Sequence, residues 1–320
     1  MNHDLPDLAA IREAHARIRP YIHRTPVLTC RTLDRLVDAE LFFKCENLQR
    51  VGAFKYRGAT NAVQSLDDES ARRGVATHSS GNHAQALALA ARTRGIPAYV
   101  VMPRTAPLVK KAAVAGYGAE IVPCEPTLQA RERTLAEVVA RTGAHFVHPY
   151  DDPRVIAGQG TAVVELLEDA GALDAVITPV GGGGLLSGTA LAVAALAPAT
   201  RVLAAEPAGA DDAARSLAAG RLIPSCEPHT ICDGLLTSLS ERTFTAIRAH
   251  VSTIVTVSDD AVREAMRLVM ERMKLVVEPS AVVGLAALLE KRQEVPGRRI
   301  GIVISGGNVD LGQLPWQPAR

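Results

Sequence analysis

The chain is poor in aromatic residues, lysine and cysteine, and it has almost no net charge. Aromatics make up 3% of its 320 residues, with a single tryptophan. That excludes a platform of rings on which single-stranded nucleic acid stacks. Thirty-five basic against 34 acidic residues leave a net charge of +1, so no general positive field holds nucleic acid or an anionic membrane. Five cysteines (Cys30, Cys45, Cys124, Cys226, Cys232) are an odd number with no CxxC pair. They make neither a zinc ribbon nor a disulfide framework, and a cytoplasmic location is expected. Cys226 and Cys232 lack partners at metal spacing and read as buried thiols. No apolar run approaches about 18 residues, so no membrane span is expected. The first twenty residues lack the apolar stretch of a secretion signal and read as an amphipathic helix.

What is present is core material: 48% of residues are hydrophobic and 22% charged, which excludes intrinsic disorder. The length suits about two domains. Short apolar runs alternate with helical patterns. Strands are expected at Leu41–Cys45, Val75–His78, Ala98–Met102, Ala119–Val122, His145–His148, Ala175–Val180, Val202–Glu206, Thr253–Val257 and Ile300–Ser305. Helices are expected at His83–Arg94, Pro107–Gly116, Thr127–Thr142, Arg154–Ala170, Leu185–Ala197, Asp259–Met273 and Pro279–Arg292. This alternation predicts an α/β protein with two open, mainly parallel sheets covered by helices. Residues 68–152 read as a small inserted domain, and residues 1–67 with 153–320 as the larger one.

Four segments carry chemistry, and each follows an expected strand. Phe54-Lys55-Tyr56-Arg57-Gly58 places one of only six lysines at the start of a helix. There the helix dipole disfavours a protonated amine, and a neutral amine forms Schiff bases; the alternative is a solvated surface lysine. Ser79-Ser80-Gly81-Asn82-His83 offers backbone N–H groups to a carboxylate, or is only a capping turn. Gly181-Gly182-Gly183-Gly184 lets the backbone wrap a phosphate at a helix N-terminus. No Lys-Ser/Thr follows, so it is not a Walker loop, while a dinucleotide loop stays open because Glu206 falls about 20 residues on. Ser305-Gly306-Gly307-Asn308 closes the last strand. A phosphate cradle with a nucleophilic lysine suggests pyridoxal phosphate.

In this order the motifs FKxRG, SSGNHxQA, GGGGLxxG and SGGN resemble the serine/threonine dehydratase and serine racemase branch of the fold-type-II (tryptophan synthase β-like) pyridoxal-phosphate enzymes, from about Pro26 to Asp310. The resemblance implies that Lys55 holds the cofactor as a Schiff base, Phe54 packs beside it and Asn82 bonds its 3′ oxygen. Gly181, Gly182, Gly183 and Gly184 then cradle the phosphate, Ser305 meets the pyridine nitrogen, and Ser79, Ser80, Gly81, Asn82 and His83 hold the substrate. A hydroxyl at Ser305 does not force the pyridine to stay protonated, which favours β-elimination over transamination. His83 stands where β-replacement enzymes of the family usually have Thr. Ala53 departs from the pattern, many members having Ser there.

Ala204–Asp212 resembles the cation site of the racemases, with Glu206, the Ala210 carbonyl and Asp212 as oxygen ligands for Mg²⁺, Mn²⁺ or Ca²⁺. By spacing alone it is a solvated acidic turn capping a helix. His145 and His148 sit three apart on an expected strand, so they face opposite ways and are set aside. Glu278 reads as flanking a helix start, and Arg131 as a solvated helix residue unless it faces the cleft.

The function implied is ammonia-lyase action on L-serine or L-threonine, giving pyruvate or 2-oxobutyrate and ammonia. Lys55 removes the Cα proton, and Ser80 on the opposite face allows racemisation. The alternative substrate is 3-hydroxyaspartate, if Arg131 faces the cleft. Alternatives of other classes are a non-catalytic ligand-binding protein of the same fold and, more distantly, a nucleotide-binding dehydrogenase. A homodimer acting on a small hydroxy-amino acid is expected, without nucleic acid or membrane partners.

Overall fold

The computed structural model of the chain describes residues 5–317. Its strands are β1 (Val27–Leu28), β2 (Glu40–Cys45), β3 (Val75–His78), β4 (Ala98–Pro103), β5 (Glu120–Cys124), β6 (His145–Phe146), β7 (Ala175–Pro179), β8 (Arg201–Pro207), β9 (Thr253–Val257) and β10 (Arg299–Ile304). They form a six-stranded sheet in the order β1-β2-β10-β7-β8-β9 and a four-stranded sheet in the order β5-β4-β3-β6. Only the β1–β2 pairing is antiparallel. The architecture is therefore α/β, with two open and mainly parallel sheets.

Strands covered on both faces need side chains that are apolar on both faces, and β7 is buried along its whole length. The helices supply the covers. On one face of the larger sheet, Leu33, Val262, Met266, Leu285 and Leu288 pack against Phe43, Ile177 and Ile302. On the other, Ile11, Val163, Leu166, Leu186 and Ile247 pack against Val176, Val202 and Ala204. In the smaller sheet Val75 and Val100 join the helix-covered core on one side, while Ala76 and Val101 meet Leu135 and Val138 on the other.

Some expectations change. The strand over His145–His148 ends at Phe146 because His148 turns to cap the next turn: its Nδ1 accepts from the backbone N–H of Asp151 at 2.8 Å. The two histidines therefore do not share a strand. The helix over Asp259–Met273 is α only to Leu268 and continues as a π-turn over Val269–Met273. Cys226 is exposed, whereas Cys232 is buried. A helix at Glu241–His250 was not expected. The amphipathic helix near the N-terminus spans Leu8–Ile18; residues 1–4 of that expectation lie outside the described residues. Among the described residues no helix is long and apolar enough to cross a membrane.

Candidate active site

Strands β2, β10 and β7 are neighbours and parallel, so the segments leaving their C-terminal ends emerge side by side. Those segments hold Lys55, Ser305 and the four glycines. In open α/β sheets this edge is where ligands collect. The first two segments are zipped together: Phe54 N–H donates to Ser305 O at 3.0 Å, and Gly307 N–H donates to Gly52 O at 2.9 Å.

Lys55 opens the helix Lys55–Gln64. Two residues on, Arg57 is fully buried and fixes the first turn, donating to both oxygens of Glu46 at 2.8 Å and of Glu165 at 2.9 and 2.7 Å. Lys44 meets Glu165 at 2.7 Å. Burial works against ionising Glu165, but hydrogen bonds from His15 and Arg57 and the charges of Arg57 and Lys44 outweigh it and hold its pKa well below the usual carboxylate range. The helix also lies unusually close to the helix Pro153–Ala170, where a Cβ on Gly158 would stand 2.6 Å from the Cα of Gly58.

The Lys55 amine donates to the carbonyl of Pro149 at 2.7 Å and lies 5.2 Å from the centre of the Phe54 ring. Burial lowers its pKa to about 8, against the opposing charge of Glu278. Burial rather than the helix terminus is thus the leading cause of its lowered pKa.

Ser79, Ser80 and Gly81 follow β3 and are half-buried, with Gly81 N–H donating to Ser79 Oγ at 3.3 Å. Asn82 begins the helix Asn82–Arg94. Its amide donates to both oxygens of Glu278, and its carbonyl accepts from Asn308. His83 is buried with Nε2 3.2 Å from the carbonyl of Val147. A carbonyl only accepts, so Nε2 carries the hydrogen and Nδ1, which has no partner among the described residues, is a bare acceptor. Burial and the nearby Lys55 charge lower the pKa of His83 to about 3.

Gly181 to Gly183 lead into the helix Gly184–Leu196. Gly183 has φ +86°, and a Cβ there would lie 2.8 Å from Leu239 and Thr243. A Cβ on Gly182 would run into the ring of Tyr150. Only glycine permits this backbone, whose free N–H groups at a helix start suit a phosphate. Ser305 is buried at the end of β10. A cradle for phosphate, an amine of lowered pKa and a buried hydroxyl between them fit pyridoxal phosphate.

Four participants were not expected or had been set aside. Glu278 is 5% exposed, and burial pushes its pKa up to about 7. His148 lies in the cleft wall, its ring 4.6 Å from that of Tyr150 and perpendicular to it; burial lowers its pKa to about 4. His78 stacks on Phe146 at 5.9 Å. Arg131 is not a solvated residue: it is half-buried, its Nε is shielded without a partner among the described residues, and its charge bears on His78 and Cys124 at the C-terminal ends of β3 and β5.

Away from this cleft, Glu206 ends β8 and accepts from Ala214 N–H at 2.6 Å. Glu206 and Asp212 are 1% and 2% exposed, so this is no solvated turn. Burial raises their pKa values to about 8 and about 6. Asp212 Oδ2 is buried with no partner among the described residues, and Ala210, two positions earlier, is buried too. Two desolvated carboxyls and an orphan oxygen fit a cation. Among the described residues no cluster of three or more His, Cys, Asp or Glu side chains forms a metal site, so the two carboxylates would need other oxygen ligands.

Residues 18–306 match the family model described as pyridoxal-phosphate dependent enzyme. The chain is 54% identical to a beta-hydroxyaspartate dehydratase of Paracoccus denitrificans over 98% of its own length and 99% of that protein's. It is 47% identical to an L-threo-3-hydroxyaspartate ammonia-lyase of Saccharomyces cerevisiae over 96% and 94%. It is 50% identical to a serine racemase of Dictyostelium discoideum over 96% of each chain. The crystal structure of that racemase superposes with a TM-score of 0.91, covering 95% of this chain and 99% of the other.

Proposed function

We infer the reaction from a premise now in hand: the chain belongs to the pyridoxal-phosphate dependent enzymes, within the group of serine racemase, threonine deaminase and hydroxyaspartate dehydratase. Its activity is the β-elimination of 3-hydroxyaspartate to oxaloacetate and ammonia. The observation that carries this choice of substrate is Arg131, a half-buried guanidinium with an unpartnered Nε beside His78 at the sheet edge that faces the cleft. A buried donor without a partner is costly, and a carboxylate on the substrate's Cβ satisfies it. The two hydroxyaspartate-directed relatives support the same reading.

When bound, pyridoxal phosphate supplies the electron sink that makes a Cα proton removable. The N–H groups of Gly181 to Gly184 would hold its phosphate, Asn82 its 3′ oxygen and Ser305 its ring nitrogen, and Phe54 would pack beside it. Lys55, anchored by the Pro149 carbonyl and poised near neutrality, takes the Cα proton. The Ser79–His83 loop holds the α-carboxylate, and Arg131 with His78 holds the second one. The Cβ–O bond then breaks, the hydroxyl leaves as water, and the enamine product hydrolyses to oxo-acid and ammonia. Ser80 stands as the second proton carrier, which allows serine racemisation and elimination from serine or threonine as secondary activities. Glu206, the Ala210 carbonyl and Asp212 take a divalent cation that ties β8 to the helix Asp212–Ala219.

The test is a panel of L- and D-serine, L-threonine and the 3-hydroxyaspartate diastereomers, assayed for oxo-acid, ammonia and inverted amino acid. The highest kcat/KM is expected for a hydroxyaspartate. A higher value for serine or threonine overturns the substrate assignment, and no oxo-acid from any of them overturns the enzyme reading.

A further inference from the structure

The helix Glu241–His250 carries a cation where helices disfavour one. Arg242 is the second residue of this helix, at the positive end of its dipole. Its Nε is also buried without a partner among the described residues. A residue that breaks a local rule twice needs a compensating purpose. Among the described residues its side chain hydrogen-bonds to Asp151 alone: once to the backbone carbonyl at 3.0 Å and once to the side-chain carboxylate.

Asp151 belongs to the short segment that faces Lys55. His148 Nδ1 accepts from the N–H groups of Tyr150 at 3.3 Å and Asp151 at 2.8 Å, folding the segment into a tight turn. That turn presents the Pro149 carbonyl to the Lys55 amine. It also lays the Tyr150 ring against Gly182, and the Cβ and backbone of Tyr150 against Gly184. The next residue of the same helix, Thr243, backs onto Gly183. One helix start thus touches both the glycine loop and the segment that holds the amine.

We propose that Arg242 is a positioning residue for the Lys55 amine, acting through Asp151 and the carbonyl of Pro149. The inference rests on the reading of Lys55 as the reactive amine. The charge that bears on that amine is that of Glu278, and burial keeps the neighbouring imidazoles of His83 and His148 neutral. Arg242 contributes no such charge. A change in the titration of Lys55 on removing Arg242 therefore arrives through the position of the carbonyl, not through lost charge.

The experiment uses cofactor-free and cofactor-loaded full-length protein as wild type, Arg242→Gln, Arg242→Lys and Asp151→Asn. In the cofactor-free form, competitive acetylation of Lys55 read by mass spectrometry from about pH 6 to 10 gives the titration of the amine; wild type should show a midpoint near 8. Arg242→Gln and Asp151→Asn should each raise it by at least about half a pH unit, as water reaches the loosened amine. Arg242→Lys should recover part of the shift. In the loaded form, Arg242→Gln should lower kcat about fivefold or more with little change in KM. An unchanged Lys55 profile in both Arg242→Gln and Asp151→Asn overturns the proposal, as does a lowered melting temperature with unchanged kcat per bound cofactor. Should Arg242→Gln not fold, Asp151→Asn alone carries the same comparison. Borohydride reduction of loaded wild type that tags a lysine other than Lys55 would instead sink the premise, and the acetylation arm tells the two failures apart.

Discussion

The side-chain amide of Asn82 donates to both carboxylate oxygens of Glu278, at 3.0 and 3.2 Å, while Asn308 donates to the Asn82 carbonyl at 2.8 Å. The side chain that hydrogen-bonds this acid is a neutral amide, not a cation. Burial therefore prevails over the hydrogen bonds and pushes Glu278 up to about 7. It lies in the same cleft as Lys55, whose amine burial brings down to about 8. The site holds an acid and a base whose pKa values have been moved toward each other and toward neutrality, the condition under which proton transfers are fastest.

Glu278→Gln should stabilise the cofactor-free protein at alkaline pH. In the unfolded chain the carboxyl ionises above its ordinary 4.5, but in the native protein it stays protonated up to about 7. Between those values unfolding releases a proton, so raising the pH favours unfolding, and the native state loses up to about 3 kcal/mol by pH 8. The glutamine variant escapes that loss. Urea unfolding at about pH 5.5 and 8 should show its advantage growing with pH; an advantage that is flat or shrinks with pH would mean that Glu278 ionises normally.

Lys55→Ala should remove the borohydride-trappable link to the cofactor and abolish elimination. Lys44, near the end of β2, is buried and held by Glu165 at 2.7 Å and the Thr25 carbonyl at 2.6 Å, so it does not compete for the cofactor. Peptide mapping of the reduced protein checks this, and a reducible adduct on another lysine with near-normal turnover contradicts it.

Ser80→Ala should separate two activities. Elimination from an L-substrate needs only Lys55 to take the proton, whereas racemisation and elimination from D-serine need a proton carrier on the other face. A loss of roughly a hundredfold or more is expected for the latter pair, with a much smaller loss for L-substrates. Equal losses for both enantiomers would make Ser80 a binding residue.

Chelation should lower the melting temperature and activity together, and Mg²⁺, Mn²⁺ or Ca²⁺ should restore both. Two buried carboxyls with an unpartnered oxygen make the site a source of strain without a cation. Binding to the native state alone is worth about 2.7 kcal/mol at a hundredfold excess over Kd. Asp212→Ala should resemble the chelated enzyme and ignore added metal. A chelated wild type with unchanged melting temperature and rate would leave Glu206 and Asp212 as a helix cap.

The sheets and the three loops beside Lys55 were legible because their physics is local. Doubly covered parallel strands need unbroken apolar runs, as in Ala175–Pro179, and a loop such as Gly181–Gly184 has no cheaper explanation than close approach. Glu278 was not legible, because the residue that gives it a role, Asn82, lies 196 positions away in the chain. His148 was misplaced because its ring nitrogen, which ends the strand, serves as a turn acceptor that no periodicity announces. The helix Glu241–His250 carries two β-branched threonines in its first turns and no long apolar stripe; its clearest signal is the Ser240–Thr243 capping box. Arg131 read as solvated because helix position alone does not tell that the first turn after β5 leans over the end of the smaller sheet.

The most direct test of the central claim is the ratio of kcat/KM for 3-hydroxyaspartate to that for L-serine, measured in wild type and in Arg131→Gln. Arg131 is assigned to the one group that distinguishes these substrates, the carboxylate on Cβ. A charge-assisted hydrogen bond of about 1.5–3 kcal/mol corresponds to a fall in that ratio of roughly 10- to 150-fold, with the serine value itself little changed. That fall is the expected result. A ratio that stays the same, or losses on serine equal to those on hydroxyaspartate, would contradict it.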